Sequence, residues 1–198
     1  MRIILASKSP RRREILAMLG VKFEILSADA DESSDITDPA ELVRELALRK
    51  GRAVRALLQK RGEWNEDTLV IASDTVVATG EKILGKPQDD ADAARMLRML
   101  SGSTHHVISG VALLCGDRET ADFDKTAVHF AEMSEKEIAW YVKSGEPADK
   151  AGAYAVQGLA SLFIKGLEGD YFNVVGLPVY RLNTLAQSFL GTSLIELK

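Results

Sequence analysis

The sequence predicts an α/β fold in a single domain spanning residues 1–198. Three observations lead there. Strand-like and helix-like stretches alternate along the chain. The run "TLVIA" (68–72) is apolar on both faces, as in the middle of a covered sheet. Ser9-Pro10, Asp38-Pro39-Ala40-Glu41 and Ser134-Glu135-Lys136-Glu137 each carry the chemistry of a helix start.

In chain order, residues 2–6 read as a short buried strand. Ser9 is the expected N-cap of the first helix and Pro10 its first residue. Ile15, Leu16 and Leu19 share a face, and Gly20 ends the helix. "KFEIL" (22–26) reads as a second strand, followed by the acidic loop "SADADESSDITD". Asp38 then caps a long helix whose apolar stripe runs through Leu42, Val43, Leu46, Ala47, Ala53, Val54 and Leu57. "TVVAT" and "EKILGKP" read as a hairpin around Gly80, and residues 89–101 as a helix ended by Gly102. "HHVISGVALLC" and "TADFDKTAVHFAEM" are long strands expected to pair through Gly116-Asp117. The capping box at Ser134 opens a helix that stops at Gly145. "SLFIKGLEGDYFNVVGLP" reads as two strands with a turn near Gly169, and Pro178 begins a last helix through Leu190. There is no internal repeat, low-complexity tract or interdomain linker. A single unit, with room for two lobes, is the expected organisation.

Composition narrows the function classes. Apolar residues make up 46% and charged residues 27%, an ordinary globular balance. A net charge of −4 argues against nucleic-acid binding, which needs broad positive surface. The one cysteine, Cys115, excludes an internal disulfide and a cysteine-rich zinc site; within "VALLC" it reads as a buried thiol. Arg11–Arg13 follow the first apolar run instead of preceding it, so no signal peptide is expected. No apolar stretch reaches membrane-spanning length, and the expected location is the cytoplasm.

Four places resist a purely structural reading. Arg11, Arg12 and Arg13 crowd the first turn of a helix, whose positive dipole end favours acids. They are either a solvated charged turn or an anion site, with Ser7 adding a hydroxyl. Lys50 lies four residues from both Leu46 and Val54, within the apolar stripe. It either snorkels from the edge or meets a negative ligand. Ser73-Asp74-Thr75 follows "TLVIA" directly, where a carboxylate leaving a buried strand needs a partner or a metal. Glu32 in the acidic loop is a second candidate metal ligand. Last, "DKAGAYAVQG" (149–158) and Gly85-Lys86-Pro87 offer glycines, an aromatic, Gln157 and lysines in tight turns. No P-loop and no dinucleotide fingerprint is present. His105, His106 and His129 lack metal-ligand spacing and read as strand residues. Several cations, at least two acids and no covalent nucleophile together suit metal-assisted hydrolysis of a phosphate ester or anhydride.

"LASKSPRRREIL", "SDTVV", "GKP", "GDYFNVVGLP" and above all "DKAGAYAVQG" resemble the Maf family of nucleoside triphosphate pyrophosphatases, in the family's order, from residue 5 to residue 178. The resemblance implies a two-lobed α/β, Maf/ITPase-like fold around a long mixed β-sheet with the active site in a central cleft. It implies hydrolysis of a nucleoside triphosphate to the monophosphate and pyrophosphate with Mg²⁺ or Mn²⁺. It also carries a link to septum formation in cell division and to cleaning of the nucleotide pool. Carried over residue by residue, Ser7, Arg11 and Arg12 match the phosphate-holding Ser-x-Ser-Pro-Arg-Arg motif. Asp74 matches the catalytic acid–base residue, with Thr75 beside it in a substrate-selective position. Glu32 matches an acid lining the cleft near the metal, so Glu32 and Asp74 are the expected metal ligands. Lys50 and Lys86 match the family's two lysines. Asp149 and Lys150 open the motif that ends at Gln157, whose glutamine resembles the branch acting on dTTP and UTP, with modified pyrimidine nucleotides as a further class. The branch preferring 7-methyl-GTP usually has glutamate there. Lys8 departs from the small residue usual between the two serines.

The expected mechanism is water attack at the α-phosphorus, with Asp74 as metal ligand, proton acceptor or both. Arg11, Arg12, Lys50 and Lys86 would offset charge on the departing pyrophosphate. Two rivals stand beside it. A non-catalytic nucleotide-binding regulator of division would need the cations but not Glu32 and Asp74. A general phosphatase would release inorganic phosphate and would not need Gln157. The expected partner is a nucleoside triphosphate, with no nucleic acid and no membrane; a homodimer is a possible assembly that the sequence leaves open.

Overall fold

The computed structural model describes residues 1–80 and 82–197. Among the described residues, seven strands and six helices form, in the order β1 (Arg2–Leu5), α1 (Pro10–Met18), β2 (Glu24–Ile25), α2 (Pro39–Lys60), β3 (Thr68–Thr79), β4 (Lys82–Leu84), α3 (Asp90–Leu100), β5 (Thr104–Cys115), β6 (Arg118–Phe130), α4 (Glu135–Lys143), β7 (Ile164–Glu168), α5 (Tyr171–Val175) and α6 (Val179–Leu190). The strands join one mixed sheet in the order β2-β1-β3-β5-β6-β7, with β4 paired to β3. No described helix is long and apolar enough to cross a membrane.

The chain divides into two compact units. The first comprises Met1–Asp74, Ser109–Asp124 and Gly176–Lys198. In it β1 pairs in parallel with β2 at Ile4–Glu24 and with β3 at Arg2–Thr68. Ile4, Ala47, Val54, Leu58, Val70, Ala112 and Leu114 are buried together, so α2 packs on β1, β3 and β5, with the both-faces-apolar run 68–72 in β3 and Leu58 buried where the predicted stripe has Leu57. Gly110 lets α2 come close to β5. A Cβ there would lie 2.3 Å from the Val43 carbonyl oxygen.

The second unit comprises Thr75–Ile108 and Lys125–Val175. Here the pairing is antiparallel, β3 with β4 at Val77–Leu84 and β6 with β7 at Ala127–Glu168, with an irregularity between His129 and Phe130. Leu97, Leu100, Phe130, Tyr141, Tyr154 and Phe163 form much of its core. Buried His105 shares its Nε2 with Tyr154 Oη at 2.7 Å and meets Phe130 and Tyr154 edge-on. As the sequence suggested, His105 and His106 sit in β5 and His129 in β6. Cys115 is a buried free thiol, its pKa pushed up by burial.

Local chemistry explains most boundaries. Asp38 caps α2 by accepting from Glu41 N at 2.8 Å. Ser134 and Glu137 form a complete capping box at α4. Four expectations change. Ser9 stands at the N-cap of α1 in an extended conformation, but its side chain makes no cap bond. Instead Ser9 N donates to Ser7 Oγ at 3.1 Å. The predicted strand 22–26 contracts to the two exposed residues of β2. "TLVIA" and "TVVAT" are one twelve-residue strand, β3, and Glu81, first residue of the predicted hairpin partner, lies outside the described residues. The predicted strand after Gly169 is helix α5. Asp170 Oδ1 accepts from Phe172 N at 2.8 Å, and buried Asn173 donates to Val107 O and Thr126 Oγ1. An Asn with two buried partners is satisfied in a helical turn, which an alternating apolar pattern does not show.

Candidate functional site

Asp74 was expected at the end of a strand; it lies inside β3, where the first segment of the first unit, Met1–Asp74, ends. Its side chain is only 10% exposed. An ionised carboxylate so enclosed requires a partner, and α2 supplies one. Lys50 Nζ donates to Asp74 Oδ1 at 2.5 Å and lies 3.0 Å from Glu32 Oε1. The lysine in the apolar stripe is thus neither snorkelling nor solvated. It joins two carboxylates that are far apart in sequence.

Glu32 belongs to a loop without regular structure, and Arg49, the neighbour of Lys50, holds that loop. Arg49 Nη1 donates to Ser33 O at 2.7 Å and Asp31 O at 3.3 Å, on either side of Glu32. Arg49 Nε is itself fixed by Glu45 Oε1 at 2.7 Å, one helical turn earlier.

The arginines at the start of α1 divide their tasks. Arg12 Nε donates to Gly176 O at 2.8 Å and Arg12 Nη1 to Ser73 O at 2.7 Å. Ser73 Oγ donates to the same Gly176 oxygen at 3.0 Å. Arg12 therefore fastens α1 to β3 and to the segment before α6, one residue from Asp74. Burial is the largest influence on Arg12 and pulls its pKa down; Asp74 and Glu32 oppose this, while the charge of Arg11 reinforces it. Ser7 is buried and its Oγ accepts from Ser9 N. Arg13 is exposed. The first unit thus brings Arg12, Glu32, Lys50 and Asp74 together, with Ser7 and Arg11 at the neighbouring turn.

The second unit carries the remaining predicted residues. Thr75 continues β3 and is half-buried. The Gly85-Lys86 turn is held by a bond from Gly152 N to Gly85 O at 3.0 Å, which sets exposed Lys86 beside the Ala151–Ala153 turn. Lys150 Nζ pairs with Asp149 and donates to Glu146 O at 3.1 Å. Gln157 is exposed between Val156 and Gly158. Arg49, Gly176 and Glu146 are contributors that the sequence alone does not single out. The four-residue spacing of Glu45 and Arg49 was the one available signal; the others act through tertiary contacts.

Among the described residues, no group of three or more His, Cys, Asp and Glu converges on a point. Two carboxylates do, at Lys50 Nζ. A hard cation such as Mg²⁺ is commonly held by one or two carboxylates together with substrate phosphates and water. The donors therefore fit a cation shared with a phosphate ligand, not a closed protein cage.

Comparison with known proteins adds a lineage to this geometry. The family model described as "Maf-like protein" matches residues 2–189. A protein of Symbiobacterium thermophilum named dTTP/UTP pyrophosphatase is 46% identical over 188 residues, covering 94% of this chain and 93% of that protein. A protein of the same name from Bacillus cereus strain AH820 is 45% identical over 182 residues, with 91% and 92% covered. Among solved structures, the Staphylococcus aureus Ham1 protein aligns with a TM-score of 0.47 at 15% identity, over 67% of this chain and 73% of that one.

Proposed function

The chain belongs to the Maf family, and from that membership we propose that it hydrolyses dTTP and UTP to the nucleoside monophosphate and pyrophosphate. The relatives' names supply the substrates. The observation that carries the chemistry is the meeting of Asp74 and Glu32 at one ammonium, Lys50 Nζ, with the guanidinium of Arg12 anchored one residue away at Ser73 O.

In this reading, water attacks the α-phosphorus, the bond to the bridging oxygen breaks, and the pyrophosphate leaves with that electron pair. Asp74 takes the proton of the attacking water at a carboxylate oxygen. Glu32 and Asp74 would hold Mg²⁺ or Mn²⁺, which when bound would polarise the phosphates as a Lewis acid and offset their charge. Lys50, which pairs with both acids, is placed to offer its ammonium to the polyphosphate. Arg11 adds positive charge where the pyrophosphate departs, and Lys86 and Lys150 are the cations that the second unit offers to the substrate. Ser7 and Arg12 fix the turn that faces the phosphates, and Asp149 orients Lys150. Thr75 and Gln157 select the base; an amide offers a donor and an acceptor, matching the N–H and carbonyls of uracil and thymine. The cytoplasm is the compartment that suits this substrate.

Product analysis over a panel of nucleoside triphosphates, with Mg²⁺ and with Mn²⁺, tests the proposal. The expected products are dTMP or UMP and pyrophosphate in equal amounts. Release of orthophosphate with a nucleoside diphosphate would overturn it in favour of a phosphatase.

A further inference from the structure

Glu146 has no part in the chemistry above, yet two main-chain amides and a tyrosine hydroxyl of the second unit converge on its carboxylate. Its Oε1 accepts from Tyr141 Oη at 2.7 Å and from Ala160 N at 3.4 Å, and its Oε2 accepts from Leu159 N at 3.0 Å. The same Tyr141 hydroxyl accepts from Ala155 N at 3.2 Å. The main chain is thus tied at Ala155 and again at Leu159 and Ala160. Only Val156, Gln157 and Gly158 lie between these ties, and Gln157 is the exposed residue of the three.

Gly158 gives independent support. Its backbone is extended, with φ −110° and ψ −151°, so any residue could adopt it. Space forbids one: a Cβ would lie 2.2 Å from Glu146 Oε2. The carboxylate is pressed against the chain next to Gln157. Every group that meets it there is a donor, and burial together with this carboxylate raises the pKa of Tyr141, so its hydroxyl keeps its proton.

We propose that Glu146 is a positioning residue for base selection, its carboxylate and the Tyr141 hydroxyl fixing the main chain on both sides of Gln157 and so setting where the Gln157 amide meets the nucleobase. The proposal rests on the reading of Gln157 as base-selecting. A fixed amide discriminates because a wrong base leaves a polar group unpaired; an amide on a loose segment turns to suit either base.

Glu146→Gln changes this with little change in volume. An amide has one acceptor oxygen, so its NH₂ must face either Leu159 N or Ala160 N, and on the Ala160 side it also loses the acceptor for the Tyr141 hydroxyl proton. The experiment compares kcat/KM on dTTP, UTP, CTP and GTP for the wild type, Glu146→Gln, Glu146→Asp, Gln157→Ala and the Glu146→Gln/Gln157→Ala double variant. Amide hydrogen exchange at Leu159 and Ala160 and thermal melts are read alongside. Glu146→Gln is expected to lower the dTTP-to-CTP ratio by about tenfold, a change of about 1.4 kcal/mol, and to speed exchange at both amides. Glu146→Asp, which keeps the acceptors, falls between it and the wild type. The double variant shifts the ratio no further than Gln157→Ala alone, because both act through one amide.

A wild-type ratio in folded Glu146→Gln, with a changed ratio in Gln157→Ala, would overturn the proposal and leave the Gln157 reading intact. A wild-type ratio in Gln157→Ala would remove that reading and the proposal with it. Additive shifts in the double variant would assign Glu146 a separate route and also overturn it. Should Glu146→Gln not fold, Gly158→Ala presses a methyl on the same carboxylate from the other side and must shift the ratio in the same direction.

Discussion

Replacing Lys50 by methionine asks whether one ammonium holds two acids in place. Methionine is unbranched and flexible, so it can fill the space of the lysine stem within the α2 stripe. What disappears is a charge 2.5 Å from Asp74 Oδ1 and 3.0 Å from Glu32 Oε1. The two contacts differ in weight. Glu32 is 63% exposed, and an exposed pair contributes at most about 1 kcal/mol. Asp74 is 10% exposed, and removing one partner of a buried pair costs about 3–5 kcal/mol. Lys50 keeps some solvent access, so the lower end applies, about 3 kcal/mol. In a chain of this size each kcal/mol shifts Tm by about 2–4 °C, so the variant should melt about 6–12 °C lower without divalent cations. Thermal and urea unfolding in a chelator read this directly. Adding Mg²⁺ should return part of the loss, because two uncompensated carboxylates then have a cation to share, and should change the wild type less. A melting point within about 1 °C of the wild type would refute the reasoning, since Asp74 would then not depend on Lys50.

Asp74→Asn should fold and lose about 10²-fold or more in kcat, measured by steady-state kinetics beside a thermal melt; near-normal turnover would remove Asp74 from the chemistry. The neighbouring arginines should separate. Arg12→Ala abandons two charge-assisted bonds, to Ser73 O and Gly176 O, and should destabilise by about 2 kcal/mol in urea unfolding. Arg11→Ala should lower kcat/KM while leaving stability within about 0.5 kcal/mol of the wild type. Burial depresses the His105 pKa from an ordinary 6.5 to about 4, so between those values the unfolded chain binds a proton that the folded chain does not. Stability from this residue is complete above pH 6.5 and is lost as pH falls, by up to about 1.4 kcal/mol per unit and about 3 kcal/mol in total. Urea unfolding of the wild type and His105→Gln from pH 7 to pH 4 should show a flatter dependence in the variant; parallel curves would contradict it.

Where the signal is local, the sequence is legible. Asp38 and Ser134 cap the helices they were expected to cap, because an N-cap needs only a side chain and an amide three residues on. The α2 stripe packs on strands β1, β3 and β5 as its period requires. The anomaly at Lys50 was visible as a charge on an apolar face, but its partners are set by tertiary contact. That same contact hid the length of β3. Ser73-Asp74-Thr75 looks like a strand end because a carboxylate inside a sheet is costly, and nothing near it in sequence shows that Lys50 compensates it. Arg12 read as a phosphate ligand because a guanidinium at a helix start suits an anion; its two main-chain acceptors come from β3 and from the segment before α6. Helix α5 is hidden in the sequence for a related reason. Its apolar residues alternate well enough for a strand, and only the two buried partners of Asn173 decide the matter. Glu146 stood outside every periodic pattern, and its importance comes from amides that follow it by 13 and 14 residues.

The account turns on where water attacks, and hydrolysis of dTTP in H₂¹⁸O tests that most directly. Attack at the α-phosphorus places one ¹⁸O in dTMP and none in pyrophosphate, and mass spectrometry of the two products after a single turnover distinguishes them. The account predicts labelled dTMP with unlabelled pyrophosphate, in both the Mg²⁺ and the Mn²⁺ reaction. Label in the pyrophosphate would place the attack at the β-phosphorus and contradict it.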